Sequence, residues 1–178
     1  MPLLRISLLV ALVSLTTGCV VLSWLTGTVP TPVSTRPDFR PDLRAPVVIL
    51  NARPEPVTIG IDSLVRAESL EVAHVNVRDS YLETAWYDTK THHTAHHERE
   101  IHDLSATVKL RFWADPWVPG QTRLIVEPVY RPRVDPSRTE RDLEVILSKD
   151  DEGYQIAMKL LEKLKKRFGV PKAAAQGS

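Results

Sequence analysis

The sequence of 178 residues predicts an α+β fold, an antiparallel sheet of four to five strands with two helices packed on one face. Three observations point to it. Residues 106–114, ATVKLRFWA, alternate Val108, Leu110 and Phe112 with Lys109, Arg111 and Trp113, the pattern of a sheet buried on one side. Near the C-terminus, Tyr154, Ala157, Leu160, Leu161, Leu164 and Phe168 form one apolar stripe at helical spacing. The elements run strand–helix–strand–strand–strand–strand–helix with no internal repeat, an order most simply met by helices laid on one sheet face.

The folded domain is expected over residues 47–169. VVIL, Val47 to Leu50, is a short strand that ends in the turn-like Asn51-Ala52-Arg53-Pro54. Val57, Ile61, Leu64 and Val65 then recur at i, i+4, i+7 and i+8, one face of a helix. Residues 70–77, LEVAHVNV, alternate as a strand does. Residues 80–88, SYLETAWYD, place Leu82, Thr84 and Trp86 on one face and Tyr81, Glu83 and Tyr87 on the other.

After the strand at 106–114, Pro119-Gly120-Gln121 turns the chain into 122–131, TRLIVEPVYR. Here Leu124 and Val126 share a face, opposite Arg123, Ile125 and Glu127. Pro128 cannot donate a ladder hydrogen bond, so this strand should bulge or become an edge there. Asp135-Pro136 precedes Ser137-x-x-Glu140, the spacing of a helix capping box. Asp150, Asp151 and Glu152 open the last helix, and Lys163, Lys165, Lys166 and Arg167 close it, both favourable to the helix dipole. Gly169 and Pro171 stop it, and the tail 170–178 is expected to be disordered.

The N-terminus carries a different kind of signal. Residues 1–5, MPLLR, hold the one charge among the first 18 residues, and residues 6–15, ISLLVALVSL, are apolar over the length of a signal core. Thr16, Thr17 and Gly18 follow, then Cys19, the single cysteine. This segment resembles the lipobox of bacterial lipoproteins, roughly aliphatic–small–small–Cys. It departs from that pattern in having Thr16 three residues before the cysteine, with Leu15 one place further back. The resemblance implies that residues 1–18 are a removable signal peptide and that Cys19 is acylated and binds membrane lipid. Val20 after it, rather than Asp, implies the outer membrane, facing the periplasm. The alternative is an uncleaved inner-membrane anchor, since Ile6 to Leu25 is a run of 20 uncharged residues, 14 of them apolar.

Residues 19–46 are expected to join anchor to domain. Residues 26–46, TGTVPTPVSTRPDFRPDLRAP, include five prolines and few large apolar groups. Such a segment favours an extended stalk, on the order of 60 Å at about 3.1 Å per residue.

Composition excludes several functions. Without Arg5, lost with the signal peptide, Lys+Arg falls from 23 to 22 and equals the 22 Asp+Glu. That balance lacks the basic footprint of a nucleic-acid binder. One cysteine rules out an internal disulfide and a Cys-rich zinc site. There is no G-x-S-x-G elbow and no phosphate-binding glycine loop.

Five of the six histidines lie in THHTAHHEREIH: His92, His93, His96, His97 and His102. On a helix, His92/His96 and His93/His97 would be i, i+4 pairs able to share zinc or copper. The same residues suit the exposed loop of a long hairpin, and clustered imidazoles would charge together near pH 6. HEREIH fails as a zinc-protease motif, because His97 and His102 stand about 140° apart around a helix.

Arg131 to Glu144, RPRVDPSRTERDLE, suits a solvated connection laced with ion pairs, or a partner-binding surface. Lys109 and Arg111 with Glu83 and Glu127 are expected to be cross-strand pairs on an open sheet face. Tyr87, Arg111, Trp113 and Trp117 on that face would be anchors for a protein partner. The basic end of the last helix suits either anionic lipid or a helix that simply closes the sheet.

Anchor, proline-rich stalk and small domain together resemble the BamC-like accessory lipoproteins of the outer-membrane barrel-assembly machinery, which carry helix-grip domains. The resemblance is architectural and transfers no residue-level role. It implies a non-enzymatic envelope lipoprotein that needs no cofactor and presents a sheet surface to a protein partner. A metal- or pH-responsive periplasmic lipoprotein using the His92–His102 loop is the runner-up, ahead of a small-ligand-binding or enzymatic domain.

Overall fold

The computed structural model describes residues 36–95, 100–101 and 103–171. Its elements are β1 (Val47–Leu50), α1 (Pro54–Ala67), β2 (Val72–Asn76), β3 (Tyr81–Thr84), β4 (Trp86–Asp88), β5 (His93–Ala95), β6 (Thr107–Pro116), β7 (Thr122–Tyr130), α2 (Glu140–Leu143), β8 (Val145–Ile146) and α3 (Glu152–Phe168). The fold is α+β, and all the strand pairings are antiparallel. The main ribbon runs β1-β7-β6-β3-β2, with β4, β5 and β8 as short additions that take the sheet beyond the expected four to five strands.

The β6–β7 hairpin is its spine, in register from Lys109 opposite Val129 to Pro116 opposite Thr122. Its tip closes through Gln121 N–H to Val118 O at 2.9 Å, across Pro119 and Gly120. Gly120 sits at φ +82°, the left-handed position that a type II turn requires and that glycine adopts without strain.

Alternation then sorts the side chains. Val108, Leu110, Phe112, Leu124 and Val126 face Val57, Ile61 and Val65 of α1 and Ala157, Leu160, Leu161 and Leu164 of α3. Two glycines let the helices come close. A Cβ on Gly60 would lie 2.6 Å from the Phe168 ring, and one on Gly153 would lie 2.6 Å from Leu147 and 2.9 Å from the Val108 Cβ. At the far end of α1, Glu68 bonds both Lys159 and Lys163 of α3.

The expected bulge or edge at Pro128 is corrected: Pro128 lies between the stretches of β7 paired with β1 and with β8, and its O accepts from Leu147 N–H at 3.0 Å. Val126 N–H donates to Pro46 O on the β1 side, so the position where Pro128 lacks a hydrogen faces the same way. The β6 side of the ladder is intact there, with Leu110 opposite Pro128.

Two further expectations are corrected. The first concerns face parity between residues 80 and 88. Tyr81, Leu82 and Glu83 pair with Trp113, Phe112 and Arg111, but Tyr87 pairs with Val108 and Asp88 with Thr107, one residue out of step. The slip is a bulge at Thr84–Ala85. There the Thr84 hydroxyl accepts from Leu110 N–H at 2.9 Å, and Ala85 N–H turns to Glu71 O at 2.9 Å. One extra residue exchanges the faces, so Tyr87 enters the core and Trp86 joins the opposite side.

The second concerns the stalk, expected to run to Pro46. From Arg36 onward the chain lies against the sheet. Arg36 pairs with Asp115 at 2.7 Å, Phe39 meets the Trp113 ring at 6.0 Å, and Asp42 N–H donates to Glu127 at 2.9 Å. The capping residue of α2 also differs from expectation. Thr139 accepts from Asp142 N–H, while the Ser137 hydroxyl bonds Asp135.

Candidate functional site

The second sheet face is where the sequence concentrates its chemistry. β3 contributes Tyr81 and Glu83, β6 contributes Lys109, Arg111 and Trp113, and β7 contributes Ile125 and Glu127, all at one parity. This face is covered, not open. The strap 36–46 crosses it along one line, and the connection from Arg131 to Leu147 crosses it along another.

Arg111 is the centre. Its Nη1 and Nη2 donate to Glu144 Oε2 and Oε1 at 2.6 and 2.5 Å, and its Nε donates to Glu83 at 3.0 Å. Glu127 accepts from Arg111 at 3.3 Å and from both Nη atoms of Arg141 at 3.0 Å. Lys109 Nζ bridges Glu140 at 2.7 Å and Glu83 at 3.1 Å. The Trp86 indole N–H donates to the same Glu140 oxygen at 2.7 Å, with Lys109 and Arg131 lying over its ring at 4.5 and 5.0 Å. Phe39 of the strap sits beneath Arg141 at 4.2 Å and Arg111 at 5.3 Å.

Four cations, Lys109, Arg111, Arg131 and Arg141, thus meet four carboxylates, Glu83, Glu127, Glu140 and Glu144. The cluster is neutral as a whole, which is what permits burial of single charges that would otherwise be prohibitive. Burial works to raise the Glu83 carboxyl, but the Lys109 and Arg111 charges and the Tyr81 and Arg111 hydrogen bonds outweigh it, and Glu83 titrates below its ordinary range. Glu140 behaves likewise, burial being overcome by the Lys109 bond and charge and by Trp86. The Tyr81 hydroxyl is pushed far up, first by burial and then by the Glu83 charge, and donates to Glu83 at 2.5 Å. Burial alone would lower Arg111, yet its bond to Glu144 and the surrounding carboxylates raise it. At neutral pH the carboxylates of Glu83 and Glu140 are therefore ionised and Tyr81 is not. The arrangement clamps the strap and the 131–147 connection onto the sheet.

This corrects the expected partner surface. Tyr87 is in the core after the parity slip. Arg111 is engulfed by carboxylates, and Trp113 is fully buried between Tyr81 (ring centroids 5.4 Å apart) and Phe39. Of the four expected anchors only Trp117 stands out, 58% exposed at the hairpin tip. The run 131–144 supplies Arg131, Glu140, Arg141 and Glu144 to the buried cluster. Charge counting on the strands would not have revealed them, since Lys109 and Arg111 already balance Glu83 and Glu127.

Cys19, His96, His97 and His102 lie outside the described residues. His92 turns at φ +59°, its Nδ1 sharing a hydrogen bond with the Tyr87 hydroxyl at 3.1 Å, and His93 lies in β5 opposite Asp88. Among the described residues no three metal-ligating side chains converge, nor is any helix long and apolar enough to cross a membrane.

Beside the hairpin tip an open cleft of about 750 Å³ is lined by Arg36, Arg53, Glu55, Arg78, Asp79 and Pro116, among others. A second, of about 480 Å³, lies against Asp88, His93 and Glu100. No protein-family model matches the chain, and no curated protein matches it in sequence.

Proposed function

We propose that the protein is a bacterial envelope lipoprotein, held by acylated Cys19 at the outer membrane and facing the periplasm. Its domain, helix-grip-like in the manner of the BamC-like accessory lipoproteins, acts by binding a protein partner and not by catalysis. The charged side chains of the second sheet face are spent on one another and hold the fold closed. With that face covered, the sheet surface offered to a partner is its edge.

One observation supports this reading: among the described residues β2 stands at the end of the strand order, next to β3. Its side chains are half-buried or exposed, and Val75 is among the exposed large apolar residues. An edge of this kind accepts a strand from a partner.

Photo-crosslinkers at Ala73 and Val75 in intact envelopes test the proposal. A defined partner should be captured there and should be lost on Val75→Lys, which places a charge on the edge. Absence of capture at either position overturns the binding reading. Mass measurement of the mature N-terminus, expected to show acylated Cys19, tests the anchor separately.

A further inference from the structure

Four chain segments come together at one end of the domain. The β6–β7 tip is joined to the turn after β1 by Gln121 Nε2 to Asn51 Oδ1 at 3.4 Å and by the Thr122 hydroxyl to Ala52 O at 2.6 Å. The C-terminus of α3 is joined to the same turn by Asn51 N–H to Gly169 O at 3.1 Å. Ala114 N–H donates to Ser80 O at 2.9 Å, which brings the β2–β3 turn alongside. Arg36 also arrives here, on Asp115 and on Asp79 O. Arg36, the first described residue, therefore lies at this end of the domain.

The surface gathered there has two characters. Trp117 and Val118 project from the tip, 58% and 46% exposed, on a loop closed by Trp117 N–H to Gln121 O and by the type II turn. Around them stand Arg53, Arg78, Lys166 and Arg167, all exposed and without an ion-pair partner among the described residues. Of the carboxylates on the adjoining cleft, Asp79 is tied to Asn76 and Glu55 is exposed. An indole at the tip of a rigid hairpin, ringed by cations, matches the interface of an anionic bilayer, where tryptophan sits at headgroup depth and basic side chains meet lipid phosphates.

We infer that this end is a membrane-docking surface for anionic phospholipid, with Trp117 and Val118 entering the headgroup layer and Arg53, Arg78, Lys166 and Arg167 binding phosphate. The inference rests on the Cys19 anchor of the proposed function, which would hold the chain at a bilayer. A lipid chain alone tethers without orienting, whereas this contact would stand the domain tip-down.

The full-length acylated chain, carrying Val118→Cys labelled with an environment-sensitive fluorophore, is reconstituted into vesicles of phosphatidylcholine alone or mixed with phosphatidylglycerol. The same label at Val134, exposed at the opposite end, is the reference. Expected are a blue shift and quenching by brominated lipid at position 118 only, in the phosphatidylglycerol vesicles only, reversed by high salt and lost with Lys166→Glu/Arg167→Glu. A chain that is acylated and floats with vesicles while position 118 behaves like position 134 overturns the docking surface and leaves the anchor standing. An equal shift in phosphatidylcholine alone overturns the anionic-lipid assignment. A mature chain without acyl groups overturns the anchor and this inference together.

Discussion

Arg111 and Glu144 meet through two short hydrogen bonds, of 2.6 and 2.5 Å, across 33 residues of sequence, with 4% and 0% of their side chains exposed. The pair ties the connection after β7 to the central strand. Truncating one partner of a buried pair leaves the other charge uncompensated, a loss of about 3–5 kcal/mol. Arg111→Met should therefore unfold the domain at much lower urea. Arg111→Met combined with Glu144→Leu should recover part of that loss, as a double-mutant cycle in urea would show.

Acid should act through the same cluster. The folded-state pKa of Glu83 and Glu140 is depressed below the ordinary 4.5. Their contribution is complete above that value and is lost as pH falls below it through the folded-state range. Stability is expected to be flat from neutrality to about pH 5 and then to drop, in chemical denaturation followed against pH. Glu83→Gln should lower the plateau and make the acid limb shallower; an unchanged limb would remove Glu83 from the account.

Phe39 is the strap's main apolar contact, set on Trp113 and under two guanidinium groups. Phe39→Ala should cost about 1–2 kcal/mol, less than loss of a fully buried ring. The sharper readout is limited proteolysis. Trypsin should cut after Arg44 in the variant well before it cuts the parent, with the rest of the domain left intact; Arg40, followed by Pro41, is not a trypsin site.

Glycine-to-alanine changes in the two long helices should disobey helix propensity, which favours alanine by about 1 kcal/mol. At Gly153 the new methyl meets the Val108 Cβ, which is fixed to a central strand. Overpacking there should destabilise by about 1–3 kcal/mol in thermal or urea unfolding. At Gly60 the obstacle is the far edge of the Phe168 ring near the end of α3, which can swing aside. Gly60→Ala is expected to be the milder of the two.

The β6–β7 hairpin, both long helices and the shared core face were legible because apolar alternation and helical spacing are local properties of the chain. Parity failed at Tyr87 and Trp86, since a bulge leaves no mark in a nine-residue alternation that continues through it. The second face was misread for a different reason. Lys109 and Arg111 alternate with core residues, as solvent-facing charges do, and only the return of Glu140 and Glu144 from distant sequence makes them buried. The strap was hidden by its prolines, which suit an extended tether and an extended packed segment equally well. His92 and His93 could be placed, whereas Cys19, His96 and His97 fall outside the described residues.

The route of the strap also bears on mechanics. It enters beside the hairpin tip at Arg36, runs down the sheet past Trp113 to Glu127, and only then doubles back as β1. Tension applied at Arg36 and directed out of the tip is therefore drawn along the strap's own axis. The Asp115, Trp113 and Glu127 attachments then resist together in shear, and are not peeled away one by one. The edge strand and the core behind it would feel a tug only after all three had given way.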